Sequence, residues 1–108
     1  MRYVLNSAVV TTPGVYRYGL LSRVNMLLWL NEGPYESTLA YQETIDALQV
    51  LAPTHAFALN RKSITMVPGD QALVFRLRTR NDPMLKGSLG IEYVLNHCEI
   101  GLLEKVSD

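Results

Sequence analysis

The sequence predicts an α/β protein: a single layered domain with a mixed, roughly five-stranded sheet and about three helices. Two observations carry that expectation first. Strand-like and helix-like runs alternate in the order β, α, β, α, β, β, α, β, which is the pattern of a layered α/β domain. A chain of 108 residues has room for one core of ordinary size, so residues 1–108 are read as one unit. The third observation is residues 60–80, NRKSITMVPGDQALVFRLRTR, where period-two patterning, turn chemistry and clustered charge coincide.

Tyr3 to Val10 is a first strand by its Tyr, Val and Leu content, interrupted by the small polar pair Asn6-Ser7. Thr12-Pro13-Gly14 breaks the chain, and Val15 to Tyr18 adds a short extended piece. Ser22 is the expected N-cap of a helix over Arg23–Asn31, ended by Gly33 and Pro34. Val24, Leu27, Leu28 and Asn31 share one face of it, while Met26, Trp29 and Leu30 cover much of the rest. A helix apolar nearly all round needs two faces covered, by a second subunit or by sinking between sheet and loop. Tyr35 to Leu39 reads as a short strand. The following helix runs to about Leu51 with Ile45, Leu48 and Leu51 inward, Thr44 as its candidate cap and Ala52-Pro53 as its stop. Its amino end offers unpaired amides and a favourable dipole to an anion, as every helix does.

The 60–80 stretch reads as a β-hairpin, with Pro68-Gly69-Asp70 turning between Ile64–Val67 and Ala72–Thr79. Alternation puts Leu73, Phe75 and Leu77 on a core face and Ala72, Val74, Arg76, Arg78 and Arg80 on the other. The arginines then stand roughly 6.6 to 6.8 Å apart, a spacing that suits a multiply charged anion and equally a solvated face or a set of cross-strand ion pairs. Asn81-Asp82-Pro83 is a turn, and Ser88 is the expected cap of a third helix containing Ile91, Val94 and Leu95. Gly90 inside that helix would cost about 1 kcal/mol relative to alanine. Cys98 to Val106 closes the chain as a strand.

Lysine plus arginine equals aspartate plus glutamate at ten each, so the chain lacks the global positive field of a general nucleic-acid binder, DNA included, and any anion site is local. The single cysteine, Cys98, excludes an internal disulfide and fits a reducing compartment. The longest unbroken aliphatic and aromatic run is Met26 to Leu30, far short of a membrane span, and the amino terminus carries no secretory pattern. The expectation is a soluble cytoplasmic protein. His55 and His97 stand alone in sequence and read as structural, and there is no zinc, P-loop or nucleophile-elbow pattern, so no metal and no cofactor is called for.

Beyond these patterns, Tyr3-Val4-Leu5-Asn6-Ser7, Ser37-Thr38-Leu39-Ala40 leading into Thr44-Ile45, Asn60-Arg61, the run from Pro68 to Leu77 and Gly101-Leu102-Leu103-Glu104 resemble the viral ring-nuclease family. Its members are small proteins of archaeal viruses, bacteriophages and mobile elements that act as type III anti-CRISPR factors. The resemblance spans nearly the whole chain in the same element order. It implies a homodimer enclosing cyclic tetra-adenylate, the second messenger of type III CRISPR defence, and in active members its cleavage without metal. A cyclic tetranucleotide presents its phosphates in a ring, and two symmetric subunits offer duplicated donors to match them. The resemblance places the ligand at Asn6, Ser7, Thr44, Arg61 and Arg80.

The departures bear on activity. Active members carry a glycine-histidine pair ahead of the second helix, three residues before the threonine matched by Thr44, where this chain has Ala40-Tyr41. The family reaction is attack by a ribose 2′-hydroxyl on the neighbouring phosphate, and a near-neutral histidine assists its proton transfer. A tyrosine side chain ordinarily titrates near pH 10 and is a poor substitute at pH 7. His55 and His97 do not align with the missing residue, and a family glutamate has only Asp82 near its position. The expected function is binding of a cyclic oligoadenylate in a homodimer cavity, by sequestration or slow metal-independent cleavage. Two other classes stand beside it: a mobile-element protein-interaction module, and a single-stranded RNA binder using Arg76, Arg78 and Arg80 with nearby tyrosines.

Overall fold

The computed structural model describes residues 1–7, 12–78 and 90–108. Among these, the elements run β1 (Arg2–Leu5), β2 (Val15–Leu20), α1 (Arg23–Asn31), β3 (Glu36–Ser37), α2 (Gln42–Leu51), β4 (Gln71–Leu77), α3 (Ile91–Asn96) and β5 (Cys98–Ser107). The strands form one mixed sheet in the order β2-β5-β4-β1-β3. β1 lies parallel to both β3 and β4, and β5 is antiparallel to β4 and β2. The expected α/β class with five strands and three helices is therefore what forms.

One strand of that count is not the expected one. Residues 64–67 form no strand, so the hairpin over 60–80 is absent. β4 is central, with one edge taken by β1, where Val4 stands opposite Leu73, and the other by β5, where Val74 stands opposite Gly101. Both ladders of β4 are filled, which leaves no edge for a hairpin arm. The turn chemistry itself was legible. Asp70 donates its amide to the Val67 carbonyl at 3.0 Å, Gly69 takes φ 95°, and this left-handed position after Pro68 is the one a type II turn gives to glycine. Asp70 Oδ2 accepts the Val67 amide at 3.0 Å and locks the turn.

Residues 64–67 lie over the other face of the sheet instead. Met66 and Ile64 pack there on Tyr3, Leu5, Ala72, Val74 and Leu103. The buried Lys105 donates to the Met66 carbonyl at 3.0 Å and ties the segment to β5. The second face of β4 is thus apolar at Ala72 and Val74, contrary to the expected arginine face, which begins only at the exposed Arg76 and Arg78. Arg78 meets Glu99 of β5 at 3.7 Å, the ion-pair alternative. The fifth strand is β2, which extends past Tyr18 to Leu20 along β5.

All three helices bury into one core on the opposite face, where Met26 and Leu30 of α1, Leu48 and Leu51 of α2 and Val94 of α3 meet Val4, Leu73, Phe75, Leu77 and Ile100. Ser22 caps α1 as expected, its Oγ accepting the Asn25 amide at 3.2 Å. The inward stripe of α1 is Met26, Trp29 and Leu30, and Val24 and Leu28 stand 66% and 57% exposed. Arg2 lies 3.8 Å over the Trp29 ring and donates to the Gly33 carbonyl at 2.7 Å, closing the far end of this helix. Thr44 does not cap α2; the cap position is Tyr41, which makes no side-chain cap bond, and Thr44 sits buried in the first turn. Gly90 is the N-cap of α3 in extended geometry, so it costs the helix interior nothing. Ser88 lies outside the described residues, as does the end of the expected first strand beyond Ser7.

On the face carrying residues 64–67, the Tyr18 ring lies over Gly101, so that a Cβ at Gly101 would collide with it. Its hydroxyl donates to Glu99 Oε2 at 2.9 Å. Burial first, and the Glu99 carboxylate second, push the phenol up to about 12.

Candidate functional site

Because β1, β3 and β4 are parallel, their carboxyl ends lie at one end of the sheet. Asn6 and Ser7 follow β1, Thr38 to Ala40 follow β3, and Arg78 follows β4. β1 has β3 on one side and β4 on the other, and open α/β sheets bind ligands outside the carboxyl ends of such a switch point. A cleft of about 380 Å³ opens there, lined by Asn6, Ser7, Ala40, Tyr41 and Arg61 with Leu5 and Ile64 as apolar wall. Thr38, Lys62 and Ser63 complete the lining.

Segment 58–61 is laid beside β3 by backbone pairing. Leu59 bridges Leu39, the Asn60 amide donates to the Leu39 carbonyl at 2.9 Å, and Ser37 Oγ donates to the Ala58 carbonyl at 3.0 Å. This brings Arg61 to the start of α2. There the Ala40 peptide is gripped from both sides: its amide donates to Asn6 Oδ1 at 3.1 Å, and its carbonyl accepts from Arg61 Nε at 2.8 Å. Arg61 reaches Ala40 through Nε, so its two Nη groups are not consumed by that bond. Its guanidinium carbon lies 6.0 Å from the centroid of the Tyr41 ring, which is 37% exposed. Lys62 forms an ion pair with Glu36, which answers its charge locally.

The Thr44 hydroxyl, one turn into α2, is fully buried and has no hydrogen-bond partner. A buried polar group left unpaired is uncommon and costly. The cleft therefore combines hydroxyls, an amide, a guanidinium and an aromatic ring at a positive helix end, a set that suits an anion bearing a flat ring.

Of the residues expected at a site, Asn6, Ser7, Arg61 and Tyr41 line the one cleft. Thr44 stands in the adjoining turn without lining it. Arg80 and Asp82 lie outside the described residues. The histidines are elsewhere: His55 Nε2 meets Asn31 Oδ1 at 2.8 Å, and His97 stacks on Tyr93 at 4.1 Å with Nδ1 2.7 Å from the Tyr93 carbonyl oxygen. Sequence reasoning missed Thr38, Ser63 and the part played by Ala40. Nothing in the local pattern signals them, because the residues meet only through the β1 and β3 pairing. Among the described residues, no three histidine, cysteine or acidic side chains are grouped to hold a metal, and no helix is long and apolar enough to cross a membrane.

Fold and cleft together define a small α/β protein with an open mixed sheet and a ligand-sized site at the carboxyl ends of its parallel strands. The chain belongs to the STIV B116-like family, whose model matches residues 2–92. Among solved structures it is similar to B116 of Sulfolobus turreted icosahedral virus, with a TM-score of 0.71 and 17% identity over 95% of this chain and 97% of that one. That likeness is one of fold. No curated protein matches the chain.

Proposed function

We propose that this is a viral protein that binds a cyclic oligoadenylate, cyclic tetra-adenylate above others, in a cavity shared by two copies. It acts in the host cytoplasm by lowering the free messenger, and so antagonises type III CRISPR signalling. The observation that carries the reading is the convergence of Asn6, Ser7, Tyr41 and Arg61, scattered over more than half the chain, on one cleft at the amino end of α2. The orphan Thr44 hydroxyl beside it supports the same assignment. Viral origin is supported by the family and by the fold shared with a virus protein.

Sequestration is favoured over cleavage because Tyr41 lines the cleft and the two histidines are engaged elsewhere. General acid–base assistance is commonly worth about 10² to 10⁴ in rate, while positioning of the phosphates can retain part of the acceleration, so cleavage is slow or absent. The exposed Val24 and Leu28 give a second copy an apolar surface to cover, and they equally support the competing reading of a protein-interaction module without a nucleotide. Calorimetric titration with cyclic tetra-adenylate separates the two. The proposal requires one ring per two chains and, for Arg80→Ala, a loss of roughly 2 to 5 kcal/mol from an unpaired desolvated phosphate. Heat-silent titration, or binding indifferent to Arg80, supports the interaction module or a site elsewhere.

A further inference from the structure

Tyr41 occupies the N-cap of α2 in extended geometry, φ −133° and ψ 133°, and makes no side-chain cap bond. Serine, threonine, aspartate or asparagine would serve the helix better there, so the ring contributes nothing to capping. It lines the cleft instead, 37% exposed, with the Arg61 guanidinium 6.0 Å from its centroid. The preceding peptide is held by Asn6 at 3.1 Å and Arg61 at 2.8 Å, which fixes the backbone from which the ring projects. A pre-fixed aromatic beside an arginine is the platform on which single-stranded nucleotides stack, and little ordering is needed on binding. Asn6 spends its Oδ1 on Ala40, so the amide presents its amino group as a donor, the partner that a purine ring nitrogen needs.

We propose that Tyr41 is a nucleobase-stacking residue: an adenine lies flat on its ring, Arg61 bridges ring and adjoining phosphate, and Asn6 reads the base edge. This rests on the reading of the cleft as an oligoadenylate site. The cleft, about 380 Å³, is near the lower end of small-molecule sites and takes one nucleotide. Each subunit of a dimer therefore stacks one adenine of a four-membered ring.

The test is equilibrium binding of cyclic tetra-adenylate to the parent and to Tyr41→Phe, Tyr41→Trp and Tyr41→Leu, each checked for an unchanged melting curve. Phe and Trp keep the parent affinity to within about twofold, and Leu loses roughly 5- to 150-fold, the range measured for a lost base–aromatic stack. Cyclic tetra-uridylate, with a smaller ring to stack, binds the parent more weakly and shows a smaller Leu effect. A folded Leu variant that binds as tightly as the parent overturns the stacking role and leaves the oligoadenylate reading standing. A parent that binds no cyclic tetra-adenylate overturns both.

Discussion

Ala40 carries no functional group, yet its peptide is the fixed point of the site, with Asn6 accepting from its amide and Arg61 donating to its carbonyl. The resemblance singled out Asn6 and Arg61, which line the cleft, whereas the part played by Ala40 was not legible, since its contribution is backbone and leaves no trace in side-chain pattern. Thr44 stands out in the sequence twice, as a candidate cap and through the resemblance, and only the cap is overturned. Its sequence position suggested a cap, but the helix begins two residues earlier, which turns its hydroxyl into a buried group without a partner. Such a group costs about 1 to 3 kcal/mol. Thr44→Val should therefore stabilise the ligand-free protein by about 1 kcal/mol, raising its melting temperature by about 4 to 8 °C, while weakening cyclic tetra-adenylate binding. A lower melting temperature in the variant would show that the hydroxyl has a partner in the folded chain.

At the scale of elements, the helices, the closing strand and the Pro68-Gly69 turn were legible because their signals are local: a serine cap, the inward stripe of Ile45, Leu48 and Leu51, and a Pro-Gly pair. The hairpin was not, because strand pairing is decided by what else competes for an edge. The parallel β1 reaches β4 from the start of the chain, and no window of sequence around residue 64 contains that information. β2 was underestimated for a related reason, since its six residues are held mainly by the distant β5. Their packing is testable at Gly101, where an added Cβ meets the Tyr18 ring and must lift it from β5 and from Glu99. Gly101→Ala should destabilise the protein by about 1 to 3 kcal/mol in urea unfolding. In a Tyr18→Ala background the same change should cost little. Equal losses in both backgrounds would mean that the glycine serves the strand itself.

For the whole molecule, the sheet order β2-β5-β4-β1-β3 makes the carboxyl ends of three parallel strands meet, and it is this that gathers residues 6, 7, 41 and 61. Overall class was readable from element order, while the gathering was available only as what the resemblance implied, because it depends on the position of β1 between β3 and β4. Two copies are expected to bring Asn6, Ser7, Thr44 and Arg80 of each chain around one shared cavity. We propose that this cavity holds a cyclic oligoadenylate without rapidly cutting it. Incubating the protein with labelled cyclic tetra-adenylate at pH 7, and reading retention on the protein and integrity of the ring from the same sample, tests this directly. The predicted result is stoichiometric retention of intact ring, with cleavage slow or absent and accelerated by Tyr41→His. No retention at micromolar protein, or rapid turnover that Tyr41→Phe leaves unchanged, would contradict it.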